Sequence, residues 1–182
     1  MEFLLTLVMA AFFAVVHVAN GWLFQSLEIT SHVSWVYLPA FLRLFYVLVM
    51  GRLNGFIAIF AGGLMLGVHN EGLTVLSMIN NACSAASPVL ACVIFEFWHR
   101  RRVGLSSLHD LLLFTLVYCL LNALLHHFFW SLFDNDQLRE PLQAAIMVTG
   151  DLLGCLIGVG LMKAAIDRFG LPSALLKSPH QD

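Results

Sequence analysis

Long apolar runs alternate with short polar breaks along almost the whole chain. A bilayer-crossing helix needs about 20 mostly apolar residues, and several of the runs have that length. The runs predict six helices, at residues 3–24, 35–50, 53–68, 73–98, 109–130 and 141–165. The second and third are short and only Gly51 to Asn54 separate them. We therefore expect a tight helical hairpin or a partly re-entrant pair, which is allowed where protein shields the backbone.

Composition places these helices in lipid. Of the 182 residues, 60% are hydrophobic and 11% are charged, against about 45–50% and about 25% in soluble domains. The predicted fold class is all-α, a polytopic transmembrane helical bundle over residues 1–165, followed by a short cytoplasmic tail over 166–182. The amino terminus lacks the basic segment of a signal peptide, so we expect an uncleaved first helix. The four cysteines fall inside predicted spans and are expected to be packing residues.

The basic residues predict the orientation. Six alternating helices place seven of the nine lysines and arginines on one side, which the positive-inside rule assigns to the cytoplasm. These seven are Arg52, Arg100, Arg101, Arg102, Lys163, Arg168 and Lys177. The opposite loops carry Glu28, Glu71, Asp134, Asp136 and Glu140. We therefore predict a protein of the inner (plasma) membrane with both termini in the cytoplasm. Because orientation accounts for the basic residues, we expect no nucleic-acid partner.

Polar residues inside the spans are the main candidates for function, because a charged group in hydrocarbon is costly and usually faces the bundle interior with a partner. The predicted cluster comprises His17, Asn20, Arg43, Asn80, Asn81, Asn122, His126 and Asp151. Helical spacing of three or four residues puts several of them on shared faces, and we expect one pocket that opens to the periplasmic side. We expect Arg43 and Asp151 to pair, either to lock helix two to helix six or to serve in ligand binding or gating.

Other chemistry has little support in the sequence. There is no HExxH motif, no His-Cys cluster, no nucleophile elbow and no phosphate loop. We therefore expect a non-enzymatic protein without a metal or cofactor. Each tryptophan lies near a predicted span end, as in an interfacial aromatic belt. Glycines at every fourth position, Gly150, Gly154 and Gly158 on helix six and Gly63 and Gly67 on helix three, favour close packing inside the bundle over a dimer interface.

Three segments of the chain resemble a known family. The segment from Trp35 through Pro39 to Arg43, with Gly51-Arg52 and a glycine-rich apolar helix after it, resembles the start of helix two in MASE1-type integral membrane sensor domains. The Asn80-Asn81 pair, on a helix that ends at three arginines, and the Gly150-Asp151-Leu-Leu-Gly154 segment resemble later parts of that family's pattern. The matching positions are Trp35, Pro39, Arg43, Asn81, Gly150, Asp151 and Gly154.

The resemblance implies a membrane sensory module, which in that family is usually fused through its last helix to a cytoplasmic output domain. Here about six spans replace the usual eight and no output domain follows, so we expect a stand-alone sensor or an accessory subunit that contacts the bilayer, a protein partner and a small-molecule ligand. Two alternatives remain open. One is a substrate-binding transport component resembling the S subunits of energy-coupling-factor importers. The other is a membrane assembly factor whose polar residues only join helices.

Overall fold

A computed structural model describes residues 2–30, 33–70, 72–104, 107–133 and 141–169. The described residues form six α-helices and one small β-hairpin, so the predicted all-α transmembrane bundle is confirmed. The helices are α1 (Glu2–Leu23), α2 (Pro39–Val49), α3 (Arg52–Asn70), α4 (Val75–His99), α5 (Leu108–Phe133) and α6 (Pro141–Phe169). Helices α1, α4, α5 and α6 are long and apolar enough to cross a membrane, whereas α2 and α3 are shorter.

Helix α2 lies in the middle of the bundle. It packs against α3 and α6 and also contacts α1 and α4. Seven of its 11 residues are buried, including Arg43 and Tyr46. A helix of 11 residues is about 16 Å long and is too short to cross a bilayer. Its central position means that protein, rather than lipid, surrounds most of its surface.

The predicted second helix begins later than the apolar run suggested. Residues 35–38 are not helical, and α2 starts at Pro39. Before it come a turn of 3₁₀ helix (Gln25–Leu27) and two antiparallel strands, β1 (Glu28–Thr30) and β2 (Val33–Ser34). Proline lacks a backbone N–H and has a fixed φ, which suits the first position of a helix. The prediction of a helix over 35–50 is therefore wrong at its start.

The non-helical segment enters the bundle and lies against α6. The amide of Tyr37 donates to the carbonyl oxygen of Gly150 at 3.1 Å. A Cβ atom at Gly150 would collide with the carbonyl of Ser34, and one at Gly154 with the carbonyl of Tyr37. Since α6 begins at Pro141, these contacts lie roughly 14–20 Å along the helix. The glycine series on α6 therefore serves packing inside the bundle, as predicted: Gly150 and Gly154 pack against backbone, and Gly158 packs against the side chain of Phe41.

The outer surface of the bundle is apolar, which suits contact with lipid. Many large hydrophobic side chains are exposed, and Phe3, Leu53 and Leu108 are each at least 70% exposed. Trp22 and Trp98 are also exposed, in keeping with an aromatic belt, but Trp130 is fully buried and packs in the core. The belt interpretation is therefore wrong for Trp130.

The predicted tail begins within α6, which continues to Phe169. Residues 170–182, and the acidic residues at 71, 134, 136 and 140, lie outside the described residues.

Candidate binding cavity

A cavity of about 220 Å³ lies inside the bundle. A single water needs about 10–15 Å³ of such space, so the cavity has room for a cluster of waters or for a small molecule. It extends from the exposed Thr74, where α3 meets α4, down to Arg43 and Asp151. Its other polar lining residues are His17, Ser34, Tyr37, Ser77, Asn80, Asn81, Ser84 and His126. The apolar part of the lining includes Phe13, Ile59, Leu66, Leu76 and Met147.

Arg43 is held at the bottom of the cavity by an aromatic pair. Its Nη2 donates to the Tyr37 hydroxyl oxygen at 2.8 Å, and Tyr37 in turn meets Nδ1 of His17 at 2.9 Å. The guanidinium also lies 4.9 Å from the centre of the Tyr37 ring and 5.8 Å from that of Phe13, within the range of cation–π attraction. The side chain is only 5% exposed, and its Nε is buried without a hydrogen-bond partner. Tyr37 thus links the arginine of α2 to α1.

Asp151 is held by a polar network that joins the other three long helices. Its Oδ2 accepts a hydrogen bond from Nδ2 of Asn122 at 2.7 Å. The Oδ1 of Asn122 accepts from the Ser87 hydroxyl at 3.2 Å, and that hydroxyl also lies 2.6 Å from the carbonyl oxygen of Cys83. Asp151 is 2% exposed and Asn122 is fully buried. The network fixes the position of one carboxylate oxygen and connects α4, α5 and α6.

Arg43 and Asp151 do not form the direct ion pair that the sequence suggested. Both residues lie in the described part of the chain and both line the cavity, but no ion pair joins them there. Each is anchored by a neutral group, Tyr37 for the arginine and Asn122 for the aspartate. The prediction of a direct pair is therefore wrong. The physical reason is that Tyr37 and Asn122, from two other parts of the fold, each supply one of the hydrogen bonds that a buried charge needs.

His126 and Asn80 form the wall of the cavity on the α4–α5 side. Nδ1 of His126 donates to the carbonyl oxygen of Asn122 at 2.8 Å, which leaves Nε2 facing the Ser84 hydroxyl at 3.4 Å. Asn80 accepts a hydrogen bond from the indole nitrogen of Trp130 at 2.7 Å. This bond satisfies the polar atom of the buried tryptophan, as buried indoles require. Both polar residues are thereby oriented by α5.

The remaining predicted residues have other positions. Asn20 lies outside the cavity and binds the non-helical segment, where its Oδ1 accepts from the amide of Leu38 at 2.8 Å. Asn81 lines the cavity and lies against Gly63, where a Cβ atom would collide with its amide oxygen. Asn122 stands behind Asp151. The four motif positions Trp35, Pro39, Gly150 and Gly154 lie outside the cavity lining, at or beside the contact between the start of α2 and α6.

Tyr37 and Ser34 are site residues that the sequence reasoning missed. Both precede α2 in an extended segment, so they have no helical spacing to any other polar residue. The only signal was the position of Tyr37 between Trp35 and Pro39, within the segment that suggested a family resemblance. Tyr37 falls inside the predicted helix 35–50, in which a tyrosine attracts little attention, and Ser34 falls just before that helix.

The arginine end of the bundle, defined by Arg52 and Arg100 to Arg102, is separate from the cavity. Arg52 forms an ion pair with Glu96, and Arg101 forms one with the carboxylate of Asp110, which also accepts from the amide of Gly104 at 3.2 Å. Asp110 is buried although it belongs to the first turn of α5. These pairs join α3 to α4 and the α4–α5 loop to α5. Among the described residues, no group of three or more histidine, cysteine, aspartate or glutamate side chains is placed to hold a metal ion.

Comparison with known proteins gives no family assignment. No protein-family model, no curated protein and no solved structure matches this chain.

Proposed function

We propose that this protein is a non-enzymatic membrane sensor or accessory subunit that binds a small polar molecule in the cavity. The observation that carries the proposal is the placement of two opposite charges on one cavity without a bond between them. Charges buried for stability alone are usually paired, because an unpaired charge in a membrane protein is costly. Arg43 and Asp151 instead retain bonding capacity toward the cavity, as a ligand-binding site requires.

The arrangement of charges supports an orientation for this site. Arg52 pairs with Glu96 and Arg101 with Asp110, so the start of α3, the end of α4 and the start of α5 lie together. Under the proposed alternation of the helices, the end of α6 with Lys163 and Arg168 is at this end too. The positive-inside rule assigns this end to the cytoplasm. The cavity extends from the opposite end, beside Thr74. Under the proposal, a ligand enters from the periplasmic side of the inner membrane and the arginine end contacts a cytoplasmic or membrane partner.

The family resemblance supports the sensor class. Its matching positions divide into two groups in space. Arg43, Asn81 and Asp151 line the cavity, whereas Trp35, Pro39, Gly150 and Gly154 lie at or beside the contact between the start of α2 and α6. A MASE1-like sensor needs both a site and a mechanical link from that site to the last helix. Movement of α2 relative to α6 would provide that link, because the two meet through backbone contacts beside Tyr37.

A transport component is the second candidate, and the broken start of α2 favours it. In many secondary transporters, helices are interrupted at mid-membrane and the interruption lies beside the substrate site. The segment Ser34–Leu38 has this character, because it is non-helical, lies deep in the bundle and contributes Ser34 and Tyr37 to the cavity. In this alternative, the ligand crosses the membrane with the help of a partner ATPase.

Native mass spectrometry of the protein purified in mild detergent tests the proposal. The matched variant is Leu66→Trp, which places a larger side chain at the apolar wall of the cavity and leaves every polar lining residue unchanged. We expect the wild type to release a small molecule and the variant to carry none. Identical spectra without any small molecule would contradict the proposal. Uptake of the released compound into vesicles, with and without a co-purified ATPase, then separates the transport candidate from the sensor.

A further inference from the structure

The cavity contains one positive and one negative group, and their placement restricts the ligand class. We propose that the ligand is a small zwitterion of the amino-acid type, whose carboxylate binds Arg43 and whose ammonium group binds Asp151. This inference rests on the proposed function and makes it specific. It starts from the observation that the two charged side chains come from different helices, α2 and α6, and face one enclosed space.

The guanidinium of Arg43 has donors left for a carboxylate. An arginine carries five N–H donors in a planar fork that matches a carboxylate. One terminal nitrogen, Nη2, donates to the hydroxyl of Tyr37, and the fully buried hydroxyl of Tyr118 also interacts with the guanidinium. Nε is buried without a partner, so the remaining N–H groups of the two terminal nitrogens are the donors left for a ligand. Tyr37 and Phe13 hold the plane of the guanidinium from the sides. The group is thus fixed before a ligand arrives, and part of its bonding capacity is unused.

Asp151 likewise has one carboxylate oxygen, Oδ1, that can accept a hydrogen bond from a cation. Asn122 occupies its Oδ2, and no hydrogen bond from a described residue reaches Oδ1. Asn122 is itself fixed by Ser87. A carboxylate held through one oxygen presents the other in a defined direction, which is the arrangement that binds an ammonium group by a charge-assisted hydrogen bond.

The balance of charge excludes simpler ligands. Arg43 and Asp151 attract each other across the cavity, and an anion without an amine would pair with Arg43 and reduce the charge compensation that the buried carboxylate of Asp151 receives from it. A cation without a carboxylate would leave the guanidinium unmatched. Each unmatched buried charge disfavours binding. Only a ligand with both charges satisfies both groups. The amide nitrogen of Asn80, whose oxygen accepts from Trp130, and the carboxamide of Asn81 line the same cavity and are placed for its remaining polar atoms.

The space available limits the size of the zwitterion. The cavity volume of about 220 Å³ suits a compact molecule, and the apolar residues Ile59, Leu66 and Met147 line part of it. A ligand with a short, partly apolar side chain fits this mixture of polar and apolar walls better than a sugar or a nucleotide, which would need polar partners around most of its surface.

Ligand binding to the full chain in lipid nanodiscs tests this inference by calorimetry. The probes are the proteinogenic amino acids, and for each one the matching carboxylic acid without the amine and the matching amine without the carboxylate. We expect at least one amino acid to bind and to lose about tenfold or more in affinity when either charged group is removed, since a hydrogen bond to a charged group contributes about 10- to 150-fold. Binding of the acid or the amine as tightly as the amino acid would overturn the inference.

Variants assign the two ends of the ligand. Arg43→Gln should weaken binding of the amino acid and of the acid analogue but not binding of the amine. Asp151→Asn should weaken binding of the amino acid and of the amine but not binding of the acid. Arg102→Gln and Glu2→Gln, which change exposed charges away from the cavity, are the matched controls and should bind as the wild type does. If a cavity variant fails to fold, the analogue series on the wild type still decides the question.

The outcomes distinguish the two levels of the proposal. If a neutral or singly charged compound binds and Leu66→Trp abolishes that binding, the ligand-binding function stands and the zwitterion is wrong. If no compound of any class binds and Leu66→Trp behaves as the wild type does, both the function and the ligand class are wrong.

Discussion

The side-chain oxygen of Asn20, on α1, accepts a hydrogen bond from the backbone amide of Leu38 at 2.8 Å, one residue before α2 begins. The side-chain nitrogen of the same asparagine reaches the carbonyl of Val36 at 3.4 Å. The first amides of a helix have no partner within the helix, and water is absent at membrane depth. One carboxamide therefore satisfies backbone groups that would otherwise be unbonded inside the bundle.

Replacement of Asn20 should destabilise the protein. In Asn20→Ala the amide of Leu38 loses its partner in a buried setting, and we expect a cost of about 1–3 kcal/mol. For a chain of this size each kcal/mol lowers the melting temperature by about 2–4 °C. Thermal unfolding in detergent measures the change. Asn54→Ala is the control, because Asn54 lies in the first turn of α3 away from this segment, and an equal loss in both variants would contradict the capping role of Asn20.

Two glycines on α6 should respond in opposite ways to the same substitution. Gly154→Ala places a methyl group on the carbonyl of Tyr37, and overpacking of this kind costs about 1–3 kcal/mol or more. Gly160 has no neighbour within 4 Å of an added Cβ, and alanine there should be neutral or stabilising by about 0.5–1 kcal/mol through helix propensity. Melting temperatures compare the two, and a Gly154→Ala protein as stable as the wild type would show that the segment does not pack on α6 as described.

The bond between Asn80 and Trp130 should appear as a coupling energy. Asn80→Ala leaves the buried indole nitrogen without an acceptor, at a cost of about 1–3 kcal/mol. Trp130→Phe removes the donor, so Asn80→Ala should cost much less in the Trp130→Phe protein than in the wild type. A double-mutant cycle on unfolding free energies should give a coupling of about 0.5–3 kcal/mol. Strict additivity of the two changes would contradict the contact and restore a lipid-facing position for Trp130.

The proposed orientation can be measured by cysteine labelling. The four native cysteines are buried, so they should react slowly with a membrane-impermeant maleimide. A cysteine at Arg102 should react only in inside-out vesicles, and one at the exposed Leu73 only in intact spheroplasts. The reverse pattern would place the arginine end in the periplasm and would overturn the orientation on which ligand entry depends.

The helix boundaries could be predicted from the sequence because the length of each apolar run is set by the thickness of lipid. The fourth helix, predicted at 73–98, is Val75–His99, and the fifth, predicted at 109–130, is Leu108–Phe133. The start of α2 could not be predicted in this way. A buried extended segment such as Trp35-Val36-Tyr37 is as apolar as a helix, and periodicity does not distinguish them over so few residues.

The candidate site could be predicted only in part, for a related reason. Hydropathy reports which polar residues are in the membrane, and six of the eight predicted cluster residues do line the cavity. It does not report which neutral group stands beside each charge. Tyr37 and Asn122 are the direct partners of Arg43 and Asp151, and that choice depends on the depth at which the non-helical segment meets α6. The burial of Trp130 was missed because core-facing and lipid-facing positions are both apolar.

The contact between α2 and α6 has a consequence for the order of membrane insertion. Gly150 and Gly154 cover the backbone before α2, yet they are made more than one hundred residues after Pro39. Until α6 is synthesised, the carbonyl oxygens of Ser34 and Tyr37 lack the helix that packs against them. The sixth helix therefore completes the packing of the second, and a chain truncated before α6 should be held by membrane chaperones and degraded.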